Sequence, residues 1–462
     1  MPFREGVYEM SSRNRYPQRA FSRASAWLTL AVAFTAVAHA VAQSGTAPAQ
    51  KNVPPAVLAP GANAAPALGS SGAPLGLVEC RAIARSQQPR IAVQHASLAA
   101  AEDACRALEA LKFAVLVDPE LPVRRRQAAM GINAAIAGVD QAEHESDYAV
   151  TRTYFSVLYA REQERVARDI VDRLSSIHQA VKQQVESGAR DASEADVRRA
   201  EVYLRMATAK KIEAAVGVRR ATNALLEAMG FGCDGNIEIT IGRLPELDAH
   251  PIQEEIIALA LARRGELIRS NVLADVACLE VEAQNVCVAY RKETFAAGTD
   301  IHAVLIPQGI QNTEYRPGAV APEYPTMLAG SRQERVRHAQ SLYARARSAA
   351  DVARNLIVLD AKDAYLRWEE AARQISEAKQ GADSGEYLAN ELSKAFTSGL
   401  KVKVEEVVSA RVLGAQARAS YNEAVFHQLL ALADLERVTA GGFNARLAEA
   451  SIVAAQPAND QK

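Results

Sequence analysis

Five groups of residues in this chain are of types and spacings that could do chemistry. Gly230-Phe231-Gly232-Cys233-Asp234-Gly235 matches the G-x-G-x-x-G string of dinucleotide sites. Such a site needs a strand before it and a helix after it. Here a helical pattern precedes the string and the short run NIEITIG follows it, so it reads as a helix stop and turn. Asp140, Glu143, His144, Glu145 and Asp147 cluster within eight residues, with Glu143 and Asp147 one helical turn apart. A weak metal site is conceivable there, but a solvated helix face fits the spacing better. Five cysteines, at 80, 105, 233, 278 and 287, include no C-x-x-C pair. They read chiefly as small packing residues, with Cys80–Cys233 the one bridge an exporting compartment would allow. Arg124-Arg125-Arg126 forms a basic run. Glu194 and Asp196, then Glu405 and Glu406, begin two helical segments, where the helix dipole favours acids. No H-E-x-x-H, Walker or G-x-S-x-G string is present, so we assign no catalytic, metal or cofactor-binding residue.

Composition narrows the class. Lys+Arg number 53 against 54 Asp+Glu in 462 residues, a formal charge of -1, which excludes a nucleic-acid binder driven by bulk charge. Hydrophobic residues make up 49% but aromatics only 5%, so the apolar content is mostly Ala, Val and Leu. That favours closely packed helices over an aromatic-rich β domain. A charged fraction of 23% excludes both a disordered chain and a polytopic helical membrane protein.

Residues 1–42 read as a secretory signal: five arginines within the first 23 residues, an apolar run centred on AWLTLAVAFTAVA, then an A-x-A-like end. Residues 43–76 are rich in Ala, Pro, Gly and Ser and read as a linker. No further apolar stretch reaches spanning length, which leaves strands as the only route into a membrane.

The body reads as a duplication. Tyr154 and Tyr365, Gly188 and Gly399, and Gly230 and Gly441 are each 211 residues apart; a one-residue slip aligns Asp196-Val197 and Ala200 with Glu406-Val407 and Ala410. IARSQQPRI (83–91) aligns with LARRGELIR (261–269) at an offset of 178, which implies 33 extra residues in the second copy. We therefore divide the chain into a first repeat (77–234), a connector (235–250), a second repeat (251–443) with an insert at about 290–335, and a loose tail (444–462).

Within each copy the helical period is plain. Val166, Ile170, Leu174, Ile177, Val181 and Val185 form one stripe. The spacing predicts helices over about 139–185 and 335–395, roughly 70 and 90 Å long. Gly381 and Gly385 suggest a kink or break in the second. Gly188 and Gly399 act as stops, with Asp191 or Ser193 as the next N-cap in the first copy. The fold class is mostly α, built of two long antiparallel helical hairpins.

The phrases LVECRAIARSQQPRI, YFSVLYAREQERVARDIV, VKQQVESGARDASEADVRRAEVYLRMA and FTSGLKVKVEEVVSARVLGAQARASYNEA, in this order and duplicated, resemble the TolC-like outer membrane efflux proteins over about 77–442. The resemblance implies a homotrimer whose helices form a hollow α-barrel across the periplasm of a Gram-negative-type cell. Strands inserted in each repeat would build a shared outer-membrane β-barrel in contact with lipid. It implies helical tips that dock a periplasmic adaptor protein serving an inner-membrane pump: Ser187, Gly188, Ala189, Ser398, Gly399 and Leu400. It also implies a periplasmic constriction ringed by Glu194, Asp196, Glu405 and Glu406. A trimer would bring three copies of each acid together, a ring that attracts cations. The basic run at 124–126 would fall near the membrane, facing lipid head groups or simply water.

The inserts depart from the family pattern. The first, about 111–127, offers only Phe113–Val117 as a strand, whereas a transmembrane strand takes about 9–11 residues. The second holds Pro307, Pro317, Pro322 and Pro325, and its best strand is 300–306. The expected function is a passive exit duct of a tripartite efflux or type I secretion system, not an enzyme. The alternative is a periplasmic coiled-coil scaffold without a pore.

Overall fold

The computed structural model describes residues 74–111, 118–187, 193–232, 237–240, 242–287, 289–296, 301–302, 319–321, 324–398 and 402–450. All lie in the second of two units, Ala65–Lys462; the first, Met1–Ala64, covers the segment read from the sequence as a signal and part of a linker and falls outside the described residues.

The two repeats match element for element. The first is α1 (Leu77–Gln87), α2 (Pro89–Ala110), α3 (Leu121–Glu186) and α4 (Glu194–Ala228). The second is α5 (Gln253–Arg263), α6 (Gly265–Val286), α7 (Arg332–Thr397) and α8 (Val404–Val438). Helix lengths are 11, 22, 66 and 35 residues in each. The offset is 211 between α3 and α7 and 210 between α4 and α8, but 176 between α1 and α5. This corrects the 178-residue alignment, which paired two arginine-containing phrases two residues out of register. The helix break, at Gln88 and Arg264, sets the true register. The connection before the long helix is thus 10 residues (111–120) in the first repeat and 45 (287–331) in the second, a gain of 35 rather than 33.

At 66 residues, α3 and α7 are each about 100 Å long. The first begins at Leu121, well before residue 139, because Pro122 sits where a missing N–H costs nothing. The second is helical through Gly381 and Gly385, so no break occurs there. Gly385 is needed for proximity rather than for bending. A Cβ on it would lie 3.1 Å from Gly414 Cα, and one on Gly414 would lie 2.9 Å from the Gly385 carbonyl oxygen. The helices α7 and α8 therefore touch backbone to backbone at this level.

Packing gives two half-layers sharing the long helices. Towards the turns the order is α4–α3–α8–α7; towards the insert it is α2–α3–α6–α7. The stripe read from sequence is buried: Leu174 at 1%, Ile177 at 8% and Val181 at 0% exposure, with Ile170 and Val185 partly covered. The main core joins both repeats through Tyr154, Phe155, Leu158, Leu225, Ile256, Ile357, Leu429 and Leu432.

Among the described residues, four short strands occupy the insert. β1 (Arg291–Glu293) pairs antiparallel with β4 (Met327–Ala329), and β2 (Ile301–His302) with β3 (Ala319–Ala321). The outgoing and returning arms thus pair as one hairpin. Only 301–302 of the 300–306 expectation is described as strand, and Phe113–Val117 lies outside the described residues. No barrel closes among the described residues of this single chain.

Three other expectations need correction. Leu75, placed in the linker, pairs in parallel with Ile239 of the connector, within the NIEITIG run. The tail is anchored at its start: the Ala445 N–H donates to Glu436 and Leu447 is 1% exposed. Cys80 is a free, buried thiol, so it forms no bridge with Cys233, which itself lies outside the described residues.

The repeat also places the helix stops differently. In α4 the Phe231 N–H reaches the Leu226 carbonyl and Gly230 takes φ 87°. In α8 the matching bond runs from Gly441 N–H to the Glu436 carbonyl, so the residue in the place of Gly230 is Ala440, left-handed at φ 46° and followed by Gly441 at φ 68°. Gly230 therefore corresponds to Ala440 and not to Gly441. An alanine here is strained, whereas glycine is not. Ala440→Gly should stabilise the fold by roughly 0.5–1 kcal/mol after the entropy glycine adds to the unfolded chain. Thermal unfolding followed by circular dichroism checks this, and a lower midpoint would contradict it.

Candidate functional site

The ends of the two hairpins come first. Ser187 is the C-cap of α3: its N–H reaches the Gln183 carbonyl at 2.9 Å and its hydroxyl the Gln184 carbonyl at 2.9 Å. Ser398 ends α7 in the same way, with both N–H and hydroxyl on the Lys394 carbonyl. Both hydroxyls thus satisfy helix-end carbonyls that would otherwise face water. Gly188, Ala189, Gly399 and Leu400 lie outside the described residues.

The outgoing helices start differently. Of the two N-cap candidates, Ser193 caps α4 in a capping box with Asp196. The Ser193 hydroxyl donates to Asp196 Oδ2 at 2.6 Å and its N–H at 3.1 Å. These bonds, with Arg199 nearby, hold the Asp196 carboxyl below the usual carboxylate range. Lys403 caps α8 without a side-chain bond.

Arg199 then ties the hairpins together. One guanidinium nitrogen lies 3.3 Å from Asp196 and 3.3 Å from Glu405, linking α4 to α8. Glu194 pairs with Arg198 on its own helix. Glu406 is exposed and makes no ion pair among the described residues. Of the four acids, then, Asp196 has a capping role, Glu194 and Glu405 are paired, and Glu406 alone faces solvent unpaired. Just inside, Val181, Val197, Val404, Val407 and Val408 form an apolar cluster, with Leu392 and Phe396 packed on it. All four helices meet in it.

Midway along, charged groups lock the short helices to the long ones. Arg264, 4% exposed at its side chain, pairs with Asp360 of α7 at 2.8 Å and with Glu266 at 2.9 Å. Arg437 of α8 shares Asp360 and also holds Asp434. Arg81 of α1 reaches Glu436 at 2.9 Å, and Arg85 pairs with Asp147. Asp147 is therefore a buried ion-pair partner, not a solvated residue of the 140–147 cluster. No group of three metal-ligating side chains occurs among the described residues.

At the insert end, two buried arginines hold the arms. Arg124 of α3 binds both oxygens of Glu280 in α6 and donates to the Glu293 carbonyl of β1 at 3.0 Å. Arg335 of α7, 1% exposed, donates to Gln284 Oε1 at 2.9 Å, the Cys287 carbonyl at 2.8 Å and the Gly330 carbonyl at 2.9 Å. Cys287 starts the outgoing arm and Gly330 ends the returning one, so one side chain grips both. Burial alone would raise the Glu280 carboxyl, but hydrogen bonds from Arg124, Gln284 and Gln127 overcome it and hold the group below its ordinary value.

The basic run at 124–126 is thus part of α3 rather than a loop, and its three side chains have separate partners. Arg124 is buried on Glu280, Arg125 covers the C-terminal carbonyls of α2 at Leu108 and Leu111, and Arg126 pairs with Glu282. Sequence reasoning missed Glu280, Gln284 and Arg335 altogether. Their one local signal was charge at positions that should face inward on α6 and α7.

No protein-family model matches the chain, and no curated protein does. Solved structures do. The outer-membrane channel OprN superposes with a TM-score of 0.65 at 14% identity, over 79% of this chain and 90% of that one. The outer membrane protein VceC of Vibrio cholerae gives 0.61 at 12%, over 80% and 97%. The Campylobacter jejuni outer membrane channel CmeC gives 0.59 at 12%, over 87% and 98%. Duplicated hairpins, nested short helices and a β insert between the sixth and seventh helices together give this chain the fold of the TolC-like outer-membrane channels.

Proposed function

We propose that the chain is a passive outer-membrane exit duct, assembled as a homotrimer and spanning the periplasm, that serves a tripartite efflux or type I secretion system. One observation carries this reading: the four-helix layer α4–α3–α8–α7 has two unpartnered edges, and three copies joined edge to edge would close a twelve-helix tube. Exposed Val202, Met206 and Ile212 on α4, and Leu366, Tyr387 and Leu388 on α7, leave apolar surface for such a joint. Extraction of the outer-membrane fraction in mild detergent, followed by light scattering and planar-bilayer conductance, tests the proposal. A conducting trimer is the expected result. A soluble monomer would overturn it.

The hairpin ends would dock the periplasmic adaptor protein of an inner-membrane pump, through Ser187, Gly188, Ala189, Ser398, Gly399 and Leu400. Glu194, Asp196, Glu405 and Glu406 would ring the periplasmic mouth. Because Asp196 caps α4 and Glu405 is shared with Arg199, Glu406 would give the ring most of its uncompensated charge. The expected result of Glu405→Gln with Glu406→Gln is a loss of cation preference in the conductance, read as a reversal potential moving towards zero under a salt gradient. An unmoved potential would remove these acids from the ion path. Opening would be an iris-like shift of the hairpin ends about the valine cluster.

One observation favours a second reading, a periplasmic scaffold without a pore. The 10-residue connection 111–120 cannot supply two transmembrane strands of about 9–11 residues each. The single hairpin among the described residues would give six strands per trimer, fewer than the roughly eight of the smallest outer-membrane barrels. A trimer that recovers in the soluble periplasmic fraction and shows no conductance would establish this alternative.

A further inference from the structure

The internal joint between the repeats, where α3 meets α8, has a counterpart that a single chain leaves open: α7 against the α4 of another copy. From this pseudo-symmetry we infer that the joint between copies is ionic where the internal one is apolar, and that it pairs Arg205 with Glu377 and Arg198 with Glu386. The inference rests on the homotrimer proposed above, and the occupant is a second copy of this chain.

The internal joint sets the register. Gln163 of α3 donates to the Ala419 carbonyl of α8 at 3.1 Å, and Tyr159 stacks on Phe426 with ring centroids 4.6 Å apart. Moving α3 by 211 and α8 by 210 residues carries these pairs onto Gln374 with Ala209 and Glu370 with Val216. Glutamine and alanine are kept at the first pair, so the same side chain-to-carbonyl bond can form between copies. The stacked aromatic pair is replaced by a carboxylate and a valine.

Burial shows which positions await a partner. Phe155 is 0% exposed, whereas its repeat counterpart Leu366 is 55% exposed. Ile177 is 8% exposed and its counterpart Leu388 is 42% exposed. On the other helix Val408 is 0% exposed, while its counterpart Arg198 faces solvent. Leu429 is likewise 0% exposed and corresponds to the exposed Arg219.

Charge then picks the partner. Continuing the register, Arg205 falls within a turn of Glu377, and Arg198 falls opposite Glu386. Their counterparts in the internal joint are Ala415 with Val166, and Val408 with Ser175, so neither position carries charge there. Glu377 and Glu386 are exposed and lie within ion-pairing distance of no cation among the described residues. Arg198 and Arg205 pair only with acids of their own helix, at 3.2 to 3.7 Å. Paired charges at a seam choose the partner and fix its register by penalising like charges. This seam would keep a copy from docking its α7 on its neighbour's internal α8 surface, which bears valine and alanine at these positions.

Two sets of full-length variants test the inference in detergent extracts. Ala209→Cys combined with Gln374→Cys should cross-link under oxidation into a covalent trimer, because the register sets these two positions against each other across the seam, and a disulfide forms only where Cα atoms come within about 7 Å. Each single variant, carrying the same native thiols, should not. Glu377→Arg alone should lower the association constant by more than about tenfold, as should Arg205→Glu, and combining the two should restore it. Circular dichroism of each variant establishes that the helices remain folded. A trimeric parent with neither cross-link nor charge-swap rescue would overturn the ionic seam and leave the duct reading standing. A parent that does not assemble at all would remove both.

Discussion

Arg335→Met should destabilise the insert end of the protein by about 3–5 kcal/mol, the loss expected when a buried, fully bonded charged side chain is removed and its partners are left behind. Methionine fills a similar volume but offers no donor, so the carbonyls of Cys287 and Gly330 and the amide oxygen of Gln284 lose their bonds in a site that is 1% exposed. The effect should be local, because the long helices are held elsewhere by the tip and middle clusters. Hydrogen exchange reads it directly. The Gly330 amide, bonded to the Tyr290 carbonyl, and the Thr294 amide, bonded to Thr326, should lose protection while amides in the middle of α3 keep theirs. Arg335→Lys should recover only part of the loss, since a lysine cannot place donors on three acceptors spread over two arms. Unchanged protection in Arg335→Met would show that the arms are held by strand pairing alone.

Glu280→Gln should cost about 3 kcal/mol or more at neutral pH, because it leaves the Arg124 guanidinium buried without its bidentate partner. The remaining acid near Arg124 is Glu120, at 3.7 Å and already engaged by Lys292. The pH dependence follows from the lowered Glu280 carboxyl. A group whose folded pKa lies below its unfolded value stabilises above the unfolded value, and that stability is lost as pH falls through the folded one. The parent and Glu280→Gln should therefore differ most at neutral pH and converge in acid, below the ordinary glutamate range. Urea unfolding at a series of pH values measures this. A gap that stays constant down to strongly acidic pH would mean that the glutamate acts by shape and not by charge.

Much of the architecture was legible in the chain. The stripe from Val166 to Val185 and its burial follow from helical periodicity, a local property. Tyr154 and Tyr365, 211 residues apart within the two long helices, pointed to the duplication, because both copies solve the same packing problem with the same element lengths. Where register depended on caps, the reading slipped. The true offset of 176 at the short helices is marked only by Gln88 and Arg264, which share backbone conformation but not residue type. The strained Ala440 hid the equivalence of the two helix stops for the same reason.

The polar clusters were illegible on other grounds. Arg124 and Glu280 are 156 residues apart, so nothing near either one distinguishes a buried pair from two surface charges. Arg335 sits in SRQERVR, which by composition is an exposed first turn. It is buried only because both arms of the insert converge on it.

The sequence by itself determined that this chain is a duplicated helical hairpin with a long insert in its second copy, since propensity, periodicity and stop signals act within a few residues of one another. Only the tertiary structure decided which charges are buried, how the insert is clamped, and that α4 and α7 end as unpartnered edges. Those outcomes depend on which surfaces meet, and two helices with the same local pattern can lie at the centre of the layer or at its rim.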